Sequence, residues 1–220
     1  MLRITSRLLG AVAVATAAVV GFTASPALAA TINSGHIDAL DVDFSGGAVS
    51  LDIKTYSPAN DDVPPATTLI HLTPPTDYDL VVTSTSGKWP CIEGLNQTAY
   101  VAPASVGAGD TRIWPGWNTE DVPVGNRPVT IELISVTGAG GGPAPGHLTL
   151  YTVALGAPSV VLSNSGAAGC ADSSFSIAGG SPHGHANWAF SEPGGYDVTF
   201  RATVTGSASS DQETYHFEIS

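Results

Sequence analysis

Positive charge is scarce in this chain. Seven Lys and Arg stand against nineteen Asp and Glu in 220 residues, a formal charge of −12. Two of the seven, Arg3 and Arg7, lie in a leader described below, so the remainder holds Lys54, Lys88, Arg112, Arg127 and Arg201. Nucleic acids and anionic membranes both require cationic patches, which excludes them as partners. An acidic surface keeps an exported protein soluble, and it also makes cations the natural electrostatic partners. Cysteine is nearly absent too. Cys91 and Cys170 are the only two, and neither has a second Cys or His two to four residues away, so one disulfide fits better than a zinc site built on thiolates. Closing so long a loop stabilises a fold by roughly 4 kcal/mol in the chain-entropy account.

Helical periodicity is missing after the leader, as is any later apolar run long enough to span a membrane. No HExxH, Ser-His-Asp signature or nucleophile elbow occurs. Nothing therefore specifies a reaction, and the expectation is a protein that is not an enzyme.

The first 29 residues form a secretory signal peptide. Arg3 and Arg7 supply a basic start, residues 8–22 an apolar core, and Ala27-Leu28-Ala29 an A-x-A cleavage site. Residues 30–220 are expected to form one domain. The end of the chain reads as a strand without a sorting signal or hydrophobic tail, so the expected product is secreted and released, with no membrane insertion after cleavage.

Period-two alternation recurs along that domain. Val129, Ile131 and Leu133 alternate with Thr130 and Glu132; Tyr196, Val198, Phe200, Ala202 and Val204 alternate with polar neighbours; Tyr215, Phe217 and Ile219 alternate with His216 and Glu218. Such alternation marks strands with one buried face. Strands are expected near 35–44, 47–56, 67–72, 78–84, 98–102, 128–136, 147–155, 158–163, 173–178, 185–190, 195–205 and 212–219. With 25 Gly and 16 Pro punctuating them, the pattern predicts an all-β antiparallel sandwich of Greek-key or jelly-roll type. The longest irregular stretch is residues 85–124, which holds Trp89, Cys91, Trp114 and Trp117.

Chemistry concentrates in His183-Gly184-His185-Ala186-Asn187-Trp188-Ala189-Phe190. If all eight are extended, His183, His185 and Asn187 share one face while Trp188 and Phe190 point into the core. Gly184 lets another segment approach closely. Two imidazoles on one face can share a transition-metal ion, but a site needs three or four ligands. His36 and Asp38 are the best remaining donors, again two apart. Their parity matches that of Leu40, Val42 and Phe44, which look like core; either a bulge intervenes or the pair sits where the sheet ends. Glu120 is a reserve oxygen donor. Imidazoles with one carboxylate suit zinc, manganese or iron and argue against calcium. A second reading uses Trp114 and Trp117 as an aromatic platform for a cell-wall glycan or a partner protein, with the histidines merely structural.

The octapeptide, continued through Pro193-Gly194 and Tyr196, closely resembles the actinobacterial surface-anchored protein repeat, whose mark is H-x-H-x-N-W-x-F followed by P-G-x-Y. The wider chain resembles the choice-of-anchor M domain, through Gly35-His36-Ile37-Asp38, Trp114-Pro115-Gly116-Trp117-Asn118-Thr119-Glu120 and Gly146-His147-Leu148-Thr149-Leu150-Tyr151. That resemblance implies an accessory protein in metal handling, working beside a metal-type ABC uptake system or other cell-surface proteins. By motif position it implies His36, Asp38, His183 and His185 as ligands for zinc or manganese.

Overall fold

The computed structural model describes residues 28–56, 60–170 and 172–220. The expected signal peptide lies almost wholly outside the described residues. In chain order the strands are β1 (Ala30–Ile32), β2 (His36–Ser45), β3 (Ala48–Thr55), β4 (Asp61–Val63), β5 (Thr68–Leu72), β6 (Asp79–Val81), β7 (Thr98–Ala102) and β8 (Trp114–Asn118). They continue as β9 (Val129–Gly138), β10 (Leu148–Ala154), β11 (Ala157–Ser163), β12 (Ser174–Ile177), β13 (His183–His185), β14 (Asn187–Phe190), β15 (Gly194–Val204) and β16 (Ser210–Ile219). Among the described residues the only helical segments are four short 3₁₀ turns.

These strands make an all-β sandwich. A six-stranded sheet has the order β1-β5-β16-β15-β9-β12, and two five-stranded sheets run β11-β10-β14-β7-β6 and β13-β8-β2-β3-β4. The inward residues of β15 and β16 (Tyr196, Val198, Phe200, Ala202, Val204, Tyr215, Phe217, Ile219) are all buried, as their alternation requires. They share one hydrophobic cluster with Ile37, Leu40, Val42, Leu51 and Ile53 of one five-stranded sheet and with Leu148, Leu150, Trp188 and Phe190 of the other. Trp188 is anchored between Phe200 and Phe217, with ring centroids 5.8 Å from each. Both smaller sheets thus cover one face of the larger.

Pairing is more mixed than the expected antiparallel arrangement. β1 and β16 both run parallel to β5, and β2 runs parallel to β8. The stretch expected to be irregular between 85 and 124 contains β8, hidden because Pro115 and Gly116 read as a turn. β8 is held between β13 and β2. Cys91 and Cys170 form a disulfide, closing a loop of 79 residues, with both cysteines buried.

Residues 183–190 are not the single extended segment expected. β13 pairs with β8 in one sheet, and β14 pairs with β10 and β7 in another. Buried Ala186 is the step between them. Asn187 therefore leaves the histidine face. Its side-chain oxygen accepts from the Ala104 amide at 3.0 Å and its amide group donates to the Tyr151 carbonyl at 3.2 Å. The asparagine fixes the crossing from sheet to sheet.

Candidate metal centre

Three neighbouring strands of the β13-β8-β2-β3-β4 sheet bring the donors together. β2 carries His36 and Asp38, and β8 lies beside it in parallel register, with His36 opposite Trp114 and Asp38 opposite Gly116. β13 lies on the far side of β8, with Gly184 opposite Trp117 and His185 opposite Gly116. The gap between β2 and β13 is bridged over Gly116, whose missing side chain is the space that the ligands occupy. A Cβ there would lie 2.6 Å from Asp38 Oδ1, 2.7 Å from the Gly184 carbonyl oxygen and 2.7 Å from His185 Cε1. Gly184 has the same kind of necessity, since a Cβ would come 2.8 Å from the Trp117 ring.

The parity conflict in β2 is resolved by a bulge. Register shifts between Asp38 and Leu40 against β8, and between Asp38 and Asp41 against β3. Ile37 is core, the strand slips at Ala39, and Leu40 and Val42 return to the core. His36 and Asp38 thereby face outward while the rest of the strand packs inward.

One ligand atom from each of His36, Asp38, His183 and His185 can be chosen so that all four lie within 4.8 Å of one another. Asp38 Oδ1 is 3.1 Å from His183 Nε2 and 3.6 Å from His36 Nε2. On a tetrahedron with bonds of about 2.0–2.1 Å, ligand atoms stand roughly 3.3 Å apart. The two Asp38 separations bracket that value, and the remaining donor pairs lie within 4.8 Å. Asp38 is fully buried. Its second oxygen accepts a 2.6 Å hydrogen bond from the Tyr56 hydroxyl, which turns Oδ1 toward His183 Nε2 and His36 Nε2.

Aromatic rings hold the imidazoles in place. His36 is sandwiched between Tyr56 and Trp114, at 4.1 and 4.0 Å with near-parallel planes. His185 stacks on the other part of this arrangement, 4.7 Å from Trp114 and 4.8 Å from His36. His183 is the most exposed member and forms the open side. Among the described residues, His36 Nε2 and both ring nitrogens of His185 are buried without a hydrogen-bond partner. Such groups each cost about 1–3 kcal/mol unless something satisfies them.

Burial pulls the pKa of His36 below the ordinary 6.5; Asp38 opposes this, and the His185 and His183 rings add to it. Burial likewise lowers His185; the nearby Pro115 carbonyl, short of hydrogen-bond geometry, and Asp38 oppose this, and His183 again lowers it. Neutral imidazole is the form that binds a metal. The same burial pushes the Tyr56 hydroxyl far up, aided by its bond to Asp38, so it remains a donor at any physiological pH.

The other sequence candidates lie elsewhere. Glu120 is exposed and does not join the four donors; its amide bonds the Asn118 side chain at 2.9 Å. Trp114 and Trp117 do not share a platform. They point to opposite faces of β8, Trp114 onto the imidazoles and Trp117 toward the core and Phe175, at 5.2 Å. His71, His147 and His216 are engaged with Ser220, the Ile92 carbonyl and Asp197. Tyr56 and Gly116 carry no functional signal in the sequence. Neither belongs to a ligand motif, and only the strand order β13-β8-β2-β3 reveals what they flank.

No family model matches the chain, and no curated protein or solved structure matches it significantly.

Proposed function

We propose that this protein binds a divalent transition metal, zinc foremost and manganese next, through His36, Asp38, His183 and His185. The observation that carries the reading is the set of buried, unpartnered imidazole nitrogens gathered around one buried carboxylate oxygen. A hydrogen-bonded core histidine would have its nitrogens satisfied; here His36 and His185 hold unpartnered nitrogens, and one donor atom from each of the four residues lies within 4.8 Å of the others. Three imidazoles and a monodentate carboxylate are a borderline-soft donor set that fills a tetrahedron. Four protein donors leave no position for a substrate, and the reading accordingly includes no reaction.

Around this centre we place an exported accessory protein that captures or buffers metal near an ABC uptake system at the cell surface. The leader sequence supports export, as does the buried Cys91–Cys170 disulfide, which fits an oxidising compartment. No described helix is long and apolar enough to cross a membrane. The resemblance to choice-of-anchor M proteins supports the association with metal uptake.

The test is a set of calorimetric titrations of chelator-treated protein with zinc and with manganese. One equivalent of zinc should bind, more tightly than manganese, following the general order for nitrogen and oxygen sites. Absence of binding by either ion would overturn the reading.

A further inference from the structure

Beyond the bulge, the same outward face of β2 continues with Asp41 and Asp43. Asp41 lies opposite Asp52 of β3, and Lys54 of β3 lies opposite Asp62 of β4. One oxygen from each of Asp41, Asp43 and Asp62 lies within 4.8 Å of the others. Oxygens on opposite sides of a calcium ion stand roughly 4.6–5.2 Å apart, so three oxygens within that limit are close enough to share one ion.

Surface acids often cluster with no ligand, because water solvates them. Asp41 differs. It is only 2 % exposed, and among the described residues neither carboxylate oxygen has a hydrogen-bond partner. Asn118 faces it from β8 and favours its charged form, without reaching hydrogen-bond geometry. The nearest cation is Lys54, whose Nζ is 3.8 Å from Asp41 and 3.7 Å from Asp121, too far to satisfy either fully. Burial, with Asp43 and Asp62 nearby, pushes the Asp41 carboxyl up to about 7 despite Lys54. A buried carboxylate in that position calls for more positive charge than one shared ammonium provides.

The geometry points to a second cation site, formed by Asp41, Asp43 and Asp62, that takes a hard divalent ion of the calcium class. Its all-oxygen donors separate it from the imidazole centre, and it does not depend on the zinc reading. Lys54 is its internal rival. The ammonium occupies the carboxylates' field when the ion is absent, and swings away when the ion binds. Competition of this kind sets a weak affinity, in the range of about 10⁻⁴–10⁻³ M found for extracellular calcium modules.

Calcium chloride titrated into metal-free protein, followed by calorimetry and by Tm, tests this. Calcium should bind the wild type and raise its Tm. The variant Asp43→Asn with Asp62→Asn should bind at least about tenfold more weakly, because two of three ligand charges are gone. That variant should keep the circular dichroism and cooperative thermal unfolding of the wild type, which shows that it is folded. Lys54→Gln should bind calcium about tenfold more tightly, through loss of the competing charge. The inference fails if neither wild type nor Lys54→Gln responds to calcium. It also fails if Lys54→Gln binds no more tightly, if the double Asn variant responds as the wild type does, or if His183→Ala with His185→Ala removes the calcium response. Failure in any of these ways leaves zinc binding to be judged separately.

Discussion

The Tyr56 hydroxyl donates to Asp38 Oδ2 at 2.6 Å, while Asp38 Oδ1 faces His183 Nε2 at 3.1 Å. Tyr56, just past the end of β3, and Asp38 on the neighbouring β2 divide the carboxylate's work, one oxygen held and the other presented. Hydrogen bonds to a ligating group orient it and typically matter about 10–100-fold in metal affinity. Tyr56→Phe keeps the ring that stacks on His36 but removes this bond. Zinc affinity measured by chelator competition should fall by about tenfold or more, with Tm of the metal-free protein little changed. Unchanged affinity would show that Asp38 needs no such orientation.

Gly116 should tolerate no side chain. In Gly116→Ala the new methyl would meet Asp38 Oδ1, the Gly184 carbonyl and His185 within 2.7 Å. Two of those are proposed ligands and one is backbone, so relief requires parting β13 from β2. The expected result is loss of stoichiometric zinc, with about 1–3 kcal/mol of destabilisation from overpacking. Gly107→Ala, with nothing within 4 Å of the added carbon, is the matched control and should retain both. Urea unfolding and metal analysis of the two variants decide it.

Acid should act through the buried imidazoles. In metal-free protein, His36 and His185 have folded-state pKa values below the unfolded value of 6.5. The unfolded chain then binds protons first as pH falls. Stability contributed by these neutral histidines is therefore complete above about pH 6.5 and declines as pH drops toward their folded values. Asp41 acts with the opposite sign. Its folded value, near 7, exceeds the unfolded 3.8, so its contribution is present at low pH and lost as pH rises toward 7. Stability curves are therefore best taken in an Asp41→Asn background. There, stability should fall between pH 6.5 and 5, and imidazole NMR should find His36 and His185 titrating below 6.5. Titration of both rings at or above 6.5 would contradict the burial argument.

Removing the disulfide should weaken the fold while sparing the centre. Cys91 and Cys170 are 79 residues apart in sequence, and neither lies in the β13-β8-β2-β3-β4 sheet that carries the donors. Replacing both by Ser should lower the unfolding free energy by about 4 kcal/mol on the loop-entropy account. Zinc stoichiometry of the folded fraction should stay the same. Loss of zinc together with the disulfide would show that the two are coupled.

Much of this was legible in the sequence because burial imposes a period. Tyr196 to Val204 and Tyr215 to Ile219 declare their inward faces, and β15 and β16 follow within two residues at each end. The four donors were legible as two pairs with spacing two, His36 with Asp38 and His183 with His185. That the pairs meet depends on β8, and β8 was hidden: Trp114-Pro115-Gly116-Trp117 carries turn residues where a strand runs. Pro115 is tolerated there and Gly116 is required by the ligands beside it, so the two residues that disguise the strand sit at the site itself. The alternation at 183–190 misled in another way. Period two predicts which face a side chain takes but not which sheet its strand joins, and the step at Ala186 leaves the local pattern intact. Tyr56 left no signal, because a tyrosine at a strand end looks like any other amphipathic surface residue.

The central claim is that His36, Asp38, His183 and His185 form one metal centre. It is tested most directly by elemental analysis of the purified protein after zinc loading and desalting, beside a variant carrying His183→Ala and His185→Ala. The account requires about one zinc per wild-type chain and close to none in the variant, with the variant still folded by circular dichroism. Equal zinc content in the two proteins, or none in either, would contradict it.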